Sequence, residues 1–172
     1  SSYIAKEGTS LISSKPLVGE SNSRVHPSIT KSYATGIIVP EVEKAASNIG
    51  GLVGLNEDGF VELSYASVDI MSFNQGYFSE CIGGLVGLNK AKISEAYATG
   101  NDSGYGTVGG LVGENSRGGQ IEYSYAMGSV KVLRNEYLYA GSFAGGNWGS
   151  IYGSYSVGKI ELPNDRDYAY LY

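Results

Sequence analysis

In 172 residues the chain has one cysteine, one histidine, one tryptophan, two methionines and four prolines. A single Cys81 excludes an intrachain disulfide and any multi-cysteine metal site. No neighbouring charge pattern lowers its pKa, so it reads as a small buried apolar residue just ahead of an apolar run. A single His26 excludes HExxH zinc chemistry and any multi-histidine site within this chain. Beside Pro27, and with no Gly-x-Ser-x-Gly elbow anywhere, it reads as a solvated loop residue rather than the base of a triad. We expect no metal, no cofactor and no catalytic residue.

Long apolar runs are also missing. A membrane-spanning helix needs roughly 20 consecutive apolar residues, and a secretory leader needs a basic start followed by an apolar stretch. Neither pattern occurs, so this segment is not expected to insert into a membrane, and it reads equally as a mature, trimmed or excised segment, the rest being a larger parent chain, or as a full-length cytosolic protein. Positive charge is scarce: 12 Lys and Arg stand against 17 Asp and Glu, for a net charge of −5 and a pI near 4.9. Without a basic cluster to neutralise a phosphate backbone, nucleic acid is not an expected partner.

Straight-chain helix formers are few, whereas Gly (26) and Tyr (15) are abundant, which favours strands and turns. At 42% hydrophobic residues the chain is too apolar for a Gly-rich linker, so the glycines read as punctuation in a folded domain.

The punctuation is periodic. Gly50-Gly51-Leu52-Val53-Gly54-Leu55-Asn56 recurs as Gly83-Gly84-Leu85-Val86-Gly87-Leu88-Asn89 and as Gly109-Gly110-Leu111-Val112-Gly113-Glu114-Asn115. Gly141 to Asn147 is a degraded copy, and Leu17-Val18-Gly19 the remains of an earlier one. A second block keeps step with the first: Ser32-Tyr33-Ala34, Ser64-Tyr65-Ala66, Ala96-Tyr97-Ala98, Ser124-Tyr125-Ala126 and Ser154-Tyr155-Ser156. Four positions before these tyrosines stand Ile29, Val61, Ile93, Ile121 and Ile151, and the tyrosines themselves are 32, 32, 28 and 30 residues apart.

A unit of this size cannot bury its apolar face alone, but strands of successive turns can pair in parallel around a shared interior. The expected fold class is therefore all-β: a parallel β-helix, or β-solenoid, of about five coils, with right-handed coiling the expectation. Residues 1–16 are assigned as an N-terminal lead or cap, 17–160 as repeats, and 161–172 as a C-terminal strand or cap in which Tyr168, Tyr170 and Tyr172 alternate. Only Val39 to Ile49 is given a short helical turn. Leu52, Leu85, Leu111 and Phe143 should form one interior row and Val61, Ile93, Ile121 and Ile151 another, each residue contributing about 1.5–3 kcal/mol on full burial.

The Gly pairs, with Gly51, Gly84 and Gly110 as their second members, should mark corners through positive φ or close backbone approach, and Gly54, Gly87 and Gly113 are structural positions of the same repeat. Asn56, Asn89, Asn115 and Asn147 should form a structural amide ladder. Strict alternation would put each aligned Tyr on the face of the Ile before it, but also Lys31 and Glu95, so a bend intervenes or the Tyr points outward. We expect buried rings whose hydroxyls reach a partner. Turned outward, they would make an aromatic stripe suited to sugars or a protein.

The Gly-Gly-Leu-Val-Gly-Leu-Asn string, followed by Ile-x-x-x-Tyr-Ala-Thr-Gly as in Ile93 to Gly100, resembles the GLUG motif over most of residues 17–160. That family occurs in large secreted or surface-anchored bacterial proteins, among them filamentous haemagglutinin-like adhesins and immunoglobulin A-specific metallopeptidases. The resemblance implies an extracellular or bacterial cell-surface location and a role as rod, spacer or adhesive surface, with a host protein or glycan as partner. It implies no catalytic residues.

Other chemistry is weakly signalled. Gly104-Tyr105-Gly106-Thr107-Val108-Gly109 satisfies GxGxxG, but no helix follows it and Gly is common throughout. The calcium-binding nonapeptide of β-rolls would need Asp where the aligned positions hold Leu and Asn. Asn101-Asp102 and Asn164 to Asp167 read as solvated loops. Carboxylates of a polysaccharide-cleaving β-helix would recur on one face, yet Glu62 and Glu122 are the only aligned acidic pair. The long connections Ile70 to Cys81 and Gly100 to Val108 are where a partner would be read, with Phe73, Tyr77, Phe78, Tyr105 and the aligned Tyr97 as candidate binding residues. The rival readings are a substrate-positioning domain of a secreted peptidase and a carbohydrate-binding module.

Overall fold

The computed structural model describes residues 26–40, 48–73, 80–133, 138–163 and 169–171. Every regular element among them is a strand, and every strand pairing is parallel. The first coil contributes β1 (Ser28–Thr30) and β2 (Tyr33–Ile38). The second is complete: β3 (Asn48–Gly50), β4 (Val53–Asn56), β5 (Phe60–Glu62) and β6 (Tyr65–Met71). The third holds β7 (Cys81–Gly83), β8 (Val86–Asn89), β9 (Lys92–Ser94), β10 (Tyr97–Ala98) and β11 (Asp102–Gly104). The fourth holds β12 (Thr107–Gly109), β13 (Val112–Asn115), β14 (Gln120–Glu122), β15 (Tyr125–Ala126) and β16 (Val130–Val132). The fifth holds β17 (Leu138–Gly141), β18 (Ala144–Asn147), β19 (Ser150–Tyr152), β20 (Tyr155–Ser156) and β21 (Ile160–Glu161), after which β22 (Ala169–Leu171) pairs with β17.

Equivalent strands of successive coils form four walls. They run β3-β7-β12-β17-β22, β4-β8-β13-β18, β1-β5-β9-β14-β19, and an eight-stranded wall in which β6 pairs with β2 on one side and with both β10 and β11 on the other. This is the β-solenoid expected from the repeat. Four coils are complete and the first is partial, close to the five that the sequence blocks outline.

The interior rows are as the repeat requires except at the last coil, where Ile151 keeps the register but is exposed at 37%. Ile29, Val61, Ile93, Ile121 and Ile151 are cross-strand partners in unbroken register. Leu52 donates its N–H to the Leu85 carbonyl, Leu85 to Leu111 and Leu111 to Phe143, at 2.8–3.0 Å. The three leucines are fully buried and Phe143 packs against the same cluster. Each row replaces water by the same kind of side chain one coil away, so burial and backbone pairing reinforce each other.

The Gly pair works by close approach rather than by positive φ, which among the described glycines is found at Gly36, Gly118 and Gly153. A Cβ on Gly84 would collide with the carbonyl oxygen of Gly110, its equivalent one coil on, and would lie 2.9 Å from the Ala98 Cβ inside the coil. Positive φ serves a different corner. Lys31, Leu63, Glu95 and Tyr123 have φ of 49–52°, and Gly153 takes φ 58° at the fifth equivalent position. This left-handed residue stands two before each aligned Tyr. Ser64 pins the corner by accepting the Ser32 N–H (3.1 Å) and donating to the Glu62 carbonyl (2.7 Å), and Ser124 does the same to Ala96 and Glu122.

A side chain in this conformation costs roughly 1–2 kcal/mol, less the extra chain entropy that glycine loses on folding. Glu95→Gly is therefore expected to stabilise the protein by up to about 1 kcal/mol. The check is a higher urea midpoint at unchanged slope; a lower midpoint would refute the strain argument.

Three expectations are corrected. The aligned tyrosines lie outside: the left-handed corner shifts the alternation by one, so that Ser64, Ala96 and Ser124 turn inward, Tyr65, Tyr97 and Tyr125 outward, and the following alanine inward again. Gly100 to Val108 is not a free loop, because it contains β11 and the start of β12, and β6 likewise carries the wall through Met71. Asp102 is not solvated but 1% exposed. Of the proposed helical turn, Asn48 to Ile49 is strand and residues 41–47 lie outside the described residues, as do the segment assigned as the N-terminal cap and the Leu17-Val18-Gly19 remnant.

Connections between walls have two to four residues, except at one edge. Two residues join β5 to β6 and β9 to β10, and two join β3 to β4 and β7 to β8. From the eight-stranded wall to the next coil the connections have nine residues after β2, nine after β6, two after β11, five after β16 and seven after β21.

Candidate functional site

The most regular outward feature is the tyrosine column. Tyr33, Tyr65, Tyr97, Tyr125 and Tyr155 are register partners on the eight-stranded wall. Their rings stack with centroids 5.3, 4.8, 4.8 and 5.4 Å apart and interplanar angles of 9°, 1°, 2° and 12°. The coil rise sets this spacing. The inner three rings are half-buried and the end ones exposed, Tyr33 at 63% and Tyr155 at 58%. Burial, and then the neighbouring Tyr97 and Tyr155 phenols, push the Tyr125 hydroxyl above its usual value of 10.0. The consequence for binding is geometric. Within the column each ring face is covered by the next ring, leaving edges and hydroxyls outward, so a sugar that stacks on an aromatic face meets one only at the two ends.

The other candidate residues are spread out. Phe73 is exposed and Tyr105 half-buried; the Ser72 N–H to Ser103 carbonyl bond (2.9 Å) carries the register on and sets Phe73 beside the turn that holds Tyr105. Tyr97 stands apart from them in the ring column, and Tyr77 and Phe78 lie outside the described residues. His26 does more than face solvent: its Nδ1–H donates to the Asp58 carbonyl (2.9 Å) and its ring meets Phe60 edge-on at 5.5 Å.

Asn56, Asn89, Asn115 and Asn147 form a continuous amide ladder. Each Nδ2 donates to the Oδ1 of the next coil at 2.8 Å. Asn89 also donates to its own coil at the Ala91 carbonyl (2.9 Å), and the first three amides are buried. The buried rungs Asn89 and Asn115 both donate and accept within the stack, which makes the ladder a structural element, while Asn147 ends it exposed to solvent.

An open cavity of about 420 Å³ runs along the outer surface near Asp69, Met71, Asn101, Ser103, Lys131 and Glu161. Its polar groups are largely engaged in the stack: Asp69 Oδ1 accepts the Asn101 N–H at 2.8 Å, and Asn101 Oδ1 accepts the Ser129 N–H at 3.0 Å. Elsewhere Lys92 pairs with Glu122 at 3.0 Å and Lys90 with Glu57 at 3.4 Å, both on the surface and worth little. Burial, and then Glu114, push the Cys81 thiol up to about 12, so it stays protonated at neutral pH. Among the described residues no three His, Cys, Asp or Glu side chains are grouped to hold a metal, and no helix is long and apolar enough to cross a membrane.

Sequence reasoning gave no warning of Asp102, whose neighbours in the chain, Asn101 and Ser103, look like loop residues. Nor did it find the serine pins, although a serine before four of the five aligned tyrosines, with Ala96 before Tyr97, was visible.

No solved structure matches the chain. Halomucin of Haloquadratum walsbyi (strain DSM 16790 / HBSQ001) is 37% identical over 113 residues, a match covering 60% of this chain and 1% of that protein. The chain thus corresponds to a very small part of the curated relative. The family model described as the GLUG motif matches residues 104–131, the stretch from the last residue of β11 into β16, so this chain carries the GLUG motif that its Gly and Tyr blocks resemble.

Proposed function

We propose that this chain is a non-catalytic rod or spacer segment of a larger secreted or surface-anchored protein, and that its outer walls and variable edge meet a host protein or glycan. The observation that supports this best is where the recurring side chains are spent. The aligned Leu, Ile, Asn and Tyr positions of successive units pair with their equivalents one coil away, as do Ser32 with Ser64 and Ser124 with Ser154, which extends a shape and leaves no repeated reactive group among the described residues. The similarity to a small part of halomucin and the GLUG match favour a repeat segment of a surface protein. That relative comes from an archaeon, so the reading is not tied to bacteria.

Covered ring faces weigh against a carbohydrate module built on the tyrosine column. The test uses an antibody raised against this chain, on intact and on permeabilised cells of the source organism, together with a glycan array and hydrolysis screens on polysaccharides and peptides. Surface or medium labelling without turnover is expected. Labelling only after permeabilisation, or turnover by the purified chain, would overturn the reading, and glycan binding lost in Tyr97→Ala with the fold intact would replace it by the carbohydrate-binding one.

A further inference from the structure

One interior row is interrupted. Ile38, Ile70, Asp102, Val130 and Ile160 are successive register partners on the eight-stranded wall, and Asp102 alone among them is not aliphatic. It is 1% exposed, and neither carboxyl oxygen has a hydrogen-bond partner. The carboxyl reaches across the coil toward the Gly corner, where a Cβ on Gly84 would stand 2.9 Å from Oδ2. In the second coil the matching space beside Gly51 is taken by Ala66 and Val68. Gly100, two residues before Asp102, stands in line with Val68 and leaves that space to the acid.

Four strands pack against β11: β6, β7, β12 and β16. Their titratable groups are Tyr65 and Asp69 on β6, Cys81 on β7 and Lys131 on β16, while β12 carries none. Tyr65 belongs to the outer ring column, Asp69 is bonded to Asn101, the Cys81 thiol donates toward Glu114 at 3.8 Å, and Lys131 is exposed. Glu80, just before β7, accepts the Ser72 hydroxyl at 2.9 Å. None of these groups bonds either Asp102 oxygen.

We propose that Asp102 is an acid-favoured lock in the solenoid: uncharged, it lets the third coil close as over an aliphatic residue, and ionised, it loosens the wall made by β6, β11 and β16. A carboxylate in that position would give up its hydration with no donor or cation in return. Burial first, and Asp69 second, accordingly push the Asp102 carboxyl well above the usual 3.8. The folded chain then holds a proton that the unfolded chain releases. The stability this contributes is full below the ordinary carboxylate range and is lost as pH rises from there through Asp102's own raised value.

The test compares wild type with Asp102→Asn, which keeps the shape, and Asp102→Val, which completes the row. Urea midpoints are measured between about pH 5 and about pH 8, with amide exchange of β6, β11 and β16 followed in parallel. Surface carboxylates shift all three proteins together, so the difference between profiles isolates Asp102. Wild type is expected to lose stability with rising pH relative to both variants, its β6, β11 and β16 amides opening faster than in either. Asp102→Val is expected to lower the unfolding constant at neutral pH by tenfold or more. Parallel profiles for wild type and Asp102→Asn would overturn the proposal even if Asp102→Val failed to fold, as would a wild type that is steadiest at alkaline pH.

Discussion

Gly84→Ala is expected to cost about 3–5 kcal/mol, far more than an added methyl group costs in an ordinary core. The new Cβ has nowhere to go. It meets the Gly110 carbonyl oxygen of the next coil, which is fixed in the stack, while Ala98 and Asp102 close the inner side at 2.9 Å. Relief would need the third and fourth coils to separate, and their separation is set by hydrogen bonds along every wall. Gly54 is the control within the same motif, since a Cβ there would first touch the Asn48 carbonyl oxygen at 3.0 Å. Gly54→Ala should cost less than about 1 kcal/mol net of the entropy that glycine loses on folding. Urea unfolding of both variants reads the contrast, and equal costs at the two positions would refute the account of the Gly pair.

The second large effect lies in the amide ladder. Asn89→Ala removes the acceptor of Asn56 Nδ2 and the donor to Asn115 Oδ1, both 2.8 Å bonds between buried groups. Leaving a buried polar atom unsatisfied costs about 1–3 kcal/mol, so two orphans and a small void should together cost about 3–5 kcal/mol. Asn147 is exposed and only accepts from Asn115, at the end of the same ladder. Asn147→Ala should cost about 1 kcal/mol, because water replaces what is lost. A ladder whose middle and end rungs cost the same when deleted would mean that the amides contribute as isolated contacts and not as a buried chain.

Much of this was legible in the sequence because a solenoid repeats its requirements. Leu52, Leu85 and Leu111 recur since each must meet its own equivalent, and the same holds for Ile93 and Ile121. The aligned asparagines were readable for the same reason. The orientation of the tyrosines was not, because it depends on a left-handed residue for which the chain uses Lys31, Leu63, Glu95 and Tyr123, none of them a residue that advertises positive φ. Only Gly153 in the fifth coil marks the corner openly. β11 escaped notice because Asp102, Ser103 and Gly104 have low strand propensity; partners on both sides, β6 and β16, impose the extended form. A strand made by its neighbours leaves no trace in its own three residues. The buried acid was invisible with it.

The edge with the most unequal connections has a practical meaning. Because two to nine residues are already accommodated between the eight-stranded wall and the coil that follows, foreign peptide spliced there need not disturb any rung. The remaining corners, closed by two to four residues at a Gly pair, a serine pin or the amide ladder, give no such licence. The molecule is in that sense a prism with one writable seam, along which epitopes could be displayed at intervals fixed by the pitch of the coil.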